Sequence, residues 1–189
     1  MPDDLVDIID PISLLPTKKT ILKSLARKEG LMYSVSHLWI YNSKGEILLQ
    51  HRCKEKKLYP NKWDISVAGA VDSGENPKQA AIREAKEEIG LVIDENKLKE
   101  VFTFNENYTY NKMKINEFAH VFFLKYNGSL NSLKLQKEEV DKVKFFSKKE
   151  LELIIKEKNE EHLIWTNESF IRVLELISKL IKEKKIKKN

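Results

Sequence analysis

The sequence predicts an α/β fold of the α+β type, in which helices pack on a mixed β-sheet. Short runs of apolar and β-branched residues recur between turn-forming residues, which is the pattern of strands. Other segments have the apolar spacing of amphipathic helices. The 189 residues are enough for one domain with a buried core, and no repeat or linker divides the chain. We therefore expect residues 1–189 to form a single domain.

Seven strands are expected along the chain. The turn sequence Asn42–Gly45 joins two of them into a hairpin. Residues 1–30 are expected to form an N-terminal strand and an extension that ends at Gly30. The lysine-rich residues 53–62 and the polar segment Tyr108–Lys114 are expected to be loops. The strands are Leu5–Ile9, Tyr33–Tyr41, Glu46–Arg52, Trp63–Val71, Leu98–Asn107, Ile115–Tyr126 and Val140–Phe146.

The central helix is expected over residues 77–89, with well-marked ends. Asn76 is a good N-cap residue, Pro77 suits the first helical position, and Gln79 completes a capping box. Gly90 is placed to end the helix.

Two further helices are expected near the C-terminus. The capping box Ser147–Glu150 opens the first. The second occupies most of residues 165–189 and ends in a basic tail. Its apolar stripe predicts a face that packs on the core, formed by Phe170, Val173, Leu174, Ile177, Leu180 and Ile181.

Composition and charge argue against several classes of function. The net charge is +5, but residues 182–189 carry five lysines against one glutamate, so the excess lies in the tail. A basic patch interleaved with aromatics is missing, and we expect no nucleic-acid partner. We expect no membrane partner either, because no apolar run is long enough to span a bilayer. The acidic N-terminus is not a secretory signal, and Cys53 is the only cysteine, so a cytoplasmic location is expected.

The chemistry is expected on the helix over residues 77–89. Glu84, Glu87 and Glu88 have the spacing i, i+3 and i+4, so they share one face. Three neighbouring carboxylates repel each other, and a hard divalent cation removes that repulsion. The alternative is a solvated acidic stripe that nearby lysine and arginine side chains neutralise. Helix composition alone favours the solvated stripe, because acidic helix faces are common.

The spacing around the glutamates resembles the Nudix box of the Nudix hydrolase superfamily. Gly69 is followed after five residues by Glu75, and seven residues later by the run Arg83–Leu91, which agrees at every defined position. The resemblance implies a Nudix-like α/β/α sandwich with a mixed β-sheet. It also implies a hydrolase that cleaves a diphosphate bond with Mg²⁺, for which Mn²⁺ can substitute.

The resemblance assigns metal ligands to the box. They are the carbonyl of Gly69 and the carboxylates of Glu84, Glu87 and Glu88. Members of the family often take a further ligand from outside the box. The candidates here are Glu117, Glu138 and Glu139, of which we favour Glu117.

The resemblance also assigns catalytic roles. Glu84 or Glu87 orients or deprotonates the attacking water, which leaves the identity of the base open. Arg83 matches the arginine that holds a catalytic glutamate, and Glu75 matches a glutamate that braces the loop. A purely structural role for Arg83 and Glu75 is an equal alternative.

Flanking residues resemble the isopentenyl-diphosphate isomerase-like branch of the superfamily. They are His37–Arg52, Lys56-Lys57, Pro60, Trp63–Gly69 and Asn116–Glu117, although for Lys57 a solvated loop position is favoured. The resemblance implies that Arg52 and Lys56 bind the substrate diphosphate, and that the protein forms a homodimer. The isomerase cysteine is replaced here by Ala68, and two of its metal-binding histidines by Ala70 and Tyr33.

Three functions follow from these residues. The favoured one is hydrolysis of a small organic or nucleoside diphosphate, whose identity the sequence does not give. An isopentenyl-diphosphate isomerase is the first alternative, although the loss of its catalytic cysteine argues against it. A non-catalytic nucleotide-binding module is the second alternative, although an intact set of three glutamates argues against it.

Overall fold

A computed structural model describes residues 3–162 and 168–186 of the chain. The segment 163–167 and the last three residues of the basic tail therefore lie outside the described residues. The strands are β1 (Leu5–Ile9), β2 (Pro16–Leu22), β3 (Tyr33–Tyr41), β4 (Ile47–Arg52), β5 (Trp63–Asp64), β6 (Val67–Ala70), β7 (Lys99–Tyr110), β8 (Met113–Lys125) and β9 (Val140–Phe146). The helices are α1 (Lys23–Glu29), α2 (Pro77–Ile89), α3 (Lys148–Glu157) and α4 (Glu168–Ile186).

Strand β3 lies at the centre of a mixed sheet. It runs parallel to β8 along its whole length and antiparallel to β6. Strand β8 continues into a long antiparallel pairing with β7. On the other side, β4 pairs antiparallel with both β5 and β9. The mixed sheet expected from the sequence is confirmed.

Helices cover both faces of this sheet. Alternate residues of β3 point to opposite sides, as the period of a strand requires. Leu38 and Ile40 pack in the cluster that contains the apolar residues of α2. Trp39 and Tyr41 pack in the cluster that contains residues of α3 and α4. The α/β/α layering is therefore confirmed.

The predicted hairpin over residues 33–52 is confirmed at its turn but not along its strands. Strands β3 and β4 are paired at Tyr41 and Ile47 alone. Beyond that pair each strand has other neighbours, so the two strands separate into different parts of the sheet. The chain from β5 to β6 connects the two parts, because β5 pairs with β4 and β6 with β3.

Three element predictions were wrong. The N-terminal extension contains a strand, β2, paired antiparallel with β1. The strand predicted over Trp63–Val71 is two strands, because β5 pairs with β4 and β6 with β3. The loop predicted over Tyr108–Lys114 is mostly strand. Its turn is just Asn111-Lys112, whose φ angles of 46° and 67° suit a tight two-residue hairpin.

The apolar stripe of α4 packs on the core, as predicted. Phe170, Val173, Leu174 and Ile177 are buried, and Leu180 and Ile181 pack against them. No helix within residues 3–162 or 168–186 combines the length and apolar character that a bilayer span needs.

Candidate active site

Helix α2 begins and ends where the sequence predicts. The side chain of Asn76 accepts hydrogen bonds from the backbone N–H groups of Lys78 and Gln79, both at 3.0 Å. The Gln79 side chain in turn accepts from the backbone N–H of Asn76 at 3.0 Å. Gly90 ends the helix in the left-handed conformation, with φ 68°. These fixed ends set the rotation of the helix and hence the direction of its glutamates.

Glu84 packs directly against the backbone of Gly69 on β6. A Cβ at residue 69 would lie 2.0 Å from both Cδ and Oε1 of Glu84. A glycine is therefore required here because of the close approach, since no positive φ is involved. Burial raises the pKa of Glu84, and the positive charge of Arg83 opposes that rise.

Arg83 is the centre of an ion-pair network. Its guanidinium donates to Glu75 at 3.1 Å and 3.0 Å, and to Glu84 at 2.8 Å. It also donates to Glu87 at 3.4 Å and to the carbonyl of Ala70 at 2.9 Å. Burial works to lower the pKa of Arg83, but these carboxylates raise it overall. The network links the helix to the loop that precedes it and positions two of the predicted metal ligands.

Glu88 is the most deeply buried glutamate of the helix, with 4% of its surface exposed. Gln50 on β4 donates a hydrogen bond to its carboxylate at 3.1 Å. Burial raises the pKa of Glu88 to about 8, and the negative charge of Glu84 adds to the rise. The hydrogen bond from Gln50 and the positive charges of Lys56 and Arg52 only partly oppose this rise.

The three helix glutamates differ in exposure. The side chain of Glu84 is 16% exposed and that of Glu87 is 53% exposed. Glu84 and Glu88 are therefore largely shielded from solvent, whereas Glu87 is half exposed. Arg83 contacts both Glu84 and Glu87, so one guanidinium reaches both carboxylates.

Arg52 and Lys56, the predicted diphosphate ligands, both lie close enough to Glu88 for their charges to act on its carboxylate. The Arg52 guanidinium donates to Asp64 at 3.0 Å and to the carbonyl of Leu58 at 2.8 Å. These bonds hold the loop 53–62 against β5. The Lys56 ammonium forms an ion pair with Glu139, and both side chains are largely buried.

Glu117 lies in a second polar cluster, on β8. Its carboxylate accepts hydrogen bonds from the Tyr33 hydroxyl and, at 3.3 Å, from Arg27. Arg27 also donates to the Tyr33 hydroxyl at 2.9 Å. These contacts give Glu117 a structural partner set of its own, separate from the ion-pair network of Arg83.

His37 and Glu106 lie beside Glu117, a grouping that sequence reasoning missed. The ligand atoms of the three side chains lie within 4.8 Å of one another, and within residues 3–162 and 168–186 no other group of three does so. Burial lowers the pKa of His37, and the negative charges of Glu117 and Asp64 only partly oppose this. The register between β7 and β8, which places Glu106 opposite Glu117, could have revealed this grouping. The loop predicted over residues 108–114 left that register undetermined.

Comparison with known proteins gives the family. Residues 30–166 match the NUDIX domain, which is more than half of the chain. Nudix hydrolase lin0387 of Listeria innocua, itself uncharacterised, is 36% identical over 138 residues, which are 73% of this chain and 77% of the relative. The chain belongs to the Nudix hydrolase family. The family predicted from the box is therefore confirmed.

The fold agrees with that of a solved structure. The crystal structure of DR0079 from Deinococcus radiodurans matches with a TM-score of 0.66 at 23% identity. The match covers 82% of this chain and 90% of DR0079. It supports the arrangement of strands and helices described above and says nothing of substrate.

The isomerase-like branch has weaker support. Isopentenyl-diphosphate Delta-isomerase of Escherichia coli is 35% identical over 65 residues, which are 34% of this chain and 36% of the isomerase. In the Nudix fold of this chain, Ala68 pairs with His37 across β6 and β3, and Ala70 pairs with Val35. Tyr33 is buried and bound to Glu117. None of these three positions offers the thiol or imidazole that the isomerase has there.

The helix face of this Nudix site suits a divalent cation. Glu84 is partly buried and Glu88 is buried, and burial raises the pKa of both carboxyls, so a bound cation would stabilise their charged forms. Gly69 lets the backbone and the Glu84 carboxylate approach each other, which brings oxygen ligands together. Oxygen ligands of this kind are those that Mg²⁺ and Mn²⁺ prefer.

Proposed function

We propose that this Nudix hydrolase cleaves a diphosphate bond in a small organic or nucleoside diphosphate, with Mg²⁺ as cofactor and Mn²⁺ as a substitute. Water would attack one phosphorus of the diphosphate and pass its proton to a carboxylate, while the P–O bond to the bridging oxygen breaks and that oxygen leaves with the other phosphate. The observation that carries the proposal is the packing of Glu84 against Gly69 beside the buried Glu88. That arrangement places two carboxylates close together, and a divalent cation would offset the repulsion between them.

Glu84, Glu87 and Glu88 would hold the cation, together with the Gly69 carbonyl. A bound cation neutralises phosphate charge and lowers the pKa of a water ligand. Glu84 or Glu87 would accept the proton of the attacking water, and Arg83, which contacts both carboxylates, would hold their orientation. Glu75 acts through Arg83, which it holds by two hydrogen bonds.

Arg52 and Lys56 would supply positive charge for binding the diphosphate. Lys56 has an ammonium group that acts as a point charge, and Arg52 presents a planar fork of donors. The hydrogen bonds of Arg52 to Asp64 and Leu58 fix its position before substrate arrives. We propose that the two residues bind the diphosphate.

A phosphate-release screen over many diphosphates, with and without Mg²⁺, tests the proposal. We expect turnover of at least one diphosphate that depends on Mg²⁺ or Mn²⁺. Glu87→Gln is expected to remove turnover while the thermal unfolding midpoint stays unchanged, because Glu87 is half exposed. Glu95→Gln, at an exposed position just beyond the helix, is the matched control. Full turnover in Glu87→Gln would refute the assignment of this glutamate.

The isomerase alternative makes a different prediction. It requires proton exchange between water and a carbon of isopentenyl diphosphate, which NMR in D₂O detects. We expect no exchange, because Ala68 and Ala70 carry no acid or base. Ligand binding without turnover across the whole screen would instead favour a non-catalytic nucleotide-binding module.

A further inference from the structure

Lys56 places a positive charge beside the carboxylates of the site. Its ammonium contacts the Glu139 carboxylate, and the side chains of the two residues are 20% and 7% exposed. The charges of Glu88, Asp64 and Glu84 also act on this ammonium. Lys56 therefore lies among the carboxylates, although it comes from the loop that was expected to face the substrate.

The fold holds Glu139 beside the helix. The backbone N–H of Gln136 donates to the carbonyl of Glu88 at 2.9 Å, and that of Glu139 donates to the carbonyl of Gln136 at 2.9 Å. The segment that carries Glu139 is thus docked on the C-terminal end of α2. The Oε2 atom of Glu139 accepts no well-aligned hydrogen bond, so the Lys56 ion pair provides its neutralisation.

The fold also holds the base of Lys56 in place. The backbone N–H of Cys53 donates to the carbonyl of Glu139 at 3.0 Å, and the Cys53 thiol donates to the carbonyl of Glu138 at 2.7 Å. The backbone of Lys56 is therefore anchored three residues from this contact, while four side-chain carbons leave its ammonium free to swing. A change in side-chain torsions alone would therefore separate the ammonium from Glu139.

We propose that the Lys56 ammonium is the counter-ion of Glu84, Glu88 and Glu139 when no divalent cation is bound. A divalent cation that binds to these glutamates displaces the ammonium toward the diphosphate. This inference rests on the proposed function, because it assigns the cation to the same glutamates. An ammonium and a divalent cation within a few ångströms repel each other strongly in a partly buried site. Binding of the cation therefore drives Lys56 away from Glu139 and presents its charge to the diphosphate.

Displacement of Lys56 couples the binding of the cation to the binding of the diphosphate. The cation must first overcome the ion pair with Glu139, so its affinity in the absence of substrate is reduced. A diphosphate then binds both the cation and the released ammonium. Cation and diphosphate should consequently raise each other's affinity, because each favours the displaced position of Lys56.

Calorimetric titration with Mn²⁺ alone tests the displacement without any turnover. We expect Lys56→Met to bind Mn²⁺ about tenfold more tightly than the wild-type chain, since a nearby unit charge no longer opposes a divalent cation. Lys57→Met, an exposed neighbour in the same loop, is the matched control and should leave the affinity unchanged. Equal or weaker binding by Lys56→Met would overturn the inference while the proposed function stands. Absence of Mn²⁺ binding in all three proteins would overturn both.

Acetylation of lysines in the wild-type chain gives a second test that needs no variant. The ion-paired Lys56 should react slowly with acetic anhydride in the absence of divalent cation, and several-fold faster at saturating Mg²⁺. Lys57 provides the internal reference in the same mass spectrum. A reactivity of Lys56 that Mg²⁺ leaves unchanged would contradict displacement.

Discussion

No side chain fits between the backbone of residue 69 and the carboxylate of Glu84. A Cβ built on Gly69 would lie 2.0 Å from Oε1 of Glu84, far inside van der Waals contact. Because the atoms it meets belong to a carboxylate rather than to an apolar core, the requirement for glycine concerns the position of Glu84. The first residue of the Nudix box is thus explained by a contact with its helix.

Gly69→Ala is expected to displace Glu84 and to reduce turnover about 100-fold, the loss that follows when a catalytic group moves by about 1 Å. Mn²⁺ affinity should fall as well, as measured by calorimetric titration. Gly74→Ala is the control: nothing lies within 4 Å of its Cβ, but its φ of 81° strains an alanine. It should lose about 1 kcal/mol of stability and keep its Mn²⁺ affinity. Equal losses of affinity in both variants would contradict this explanation.

The pair Arg83 and Glu75 gives a second prediction, concerning orientation. Arg83→Gln should lower kcat more than it raises KM, because the guanidinium holds Glu84 and Glu87 rather than substrate. A double-mutant cycle with Glu75→Gln should give a coupling energy of about 1 kcal/mol or more in urea unfolding. Lys86→Gln, exposed on the same helix, should change neither quantity. Additive effects of the two substitutions would show that the hydrogen bonds between them contribute little.

Local signals in the sequence predicted the helix and its chemistry well. The caps Asn76 and Gly90 act through contacts within a few residues, so the ends of α2 were predicted correctly. The length of the β7–β8 hairpin was not predicted. Its tight turn needs positive φ angles at Asn111 and Lys112, and the identity of these residues does not by itself indicate that conformation. Local rules describe a segment by itself, whereas strand length depends on the neighbour with which it pairs.

The site residues show the same limit. Spacing along one helix identified Glu84, Glu87 and Glu88 as a group. The ion pair between Lys56 and Glu139 joins residues far apart in sequence, and no pattern in either segment predicts it. The neighbours of Glu117 depend likewise on the register of β7, β8 and β3. Such contacts follow from tertiary packing, which a single sequence does not display.

The raised pKa of Glu88 predicts a pH-dependent stability in the absence of divalent cations. The folded-state pKa of about 8 exceeds the ordinary value of 4.5, so the folded chain binds more protons than the unfolded chain between these limits. Stability therefore falls as pH rises from about 5 to about 8. Glu88→Gln, which stays neutral, should lose less of its thermal unfolding midpoint over this range than the wild-type chain. A wild-type midpoint that follows the variant at every pH would contradict the burial argument.

Addition of Mg²⁺ should act in the opposite direction. A cation bound at Glu88 favours its ionised form, so the wild-type midpoint at pH 8 should rise with Mg²⁺ concentration. Glu88→Gln should show a smaller rise, because it has lost an anionic ligand. Thermal unfolding followed by circular dichroism at pH 5 and pH 8, with and without Mg²⁺, measures both effects.

Glu117 has either a structural role or a role in the metal site, and the substitution Tyr33→Phe distinguishes the two. Tyr33 is fully buried and donates to the Glu117 carboxylate, so Tyr33→Phe leaves a buried charge with one donor fewer. We expect a loss of about 1–3 kcal/mol of stability in urea unfolding, with little change in Mn²⁺ affinity. Tyr126→Phe removes an exposed hydrogen bond of the same type, to the Ser129 carbonyl at 2.9 Å, and should lose much less. If Tyr33→Phe instead changes Mn²⁺ affinity without destabilising the fold, Glu117 acts as a metal ligand, and its bonds to Tyr33 and Arg27 orient it for that role.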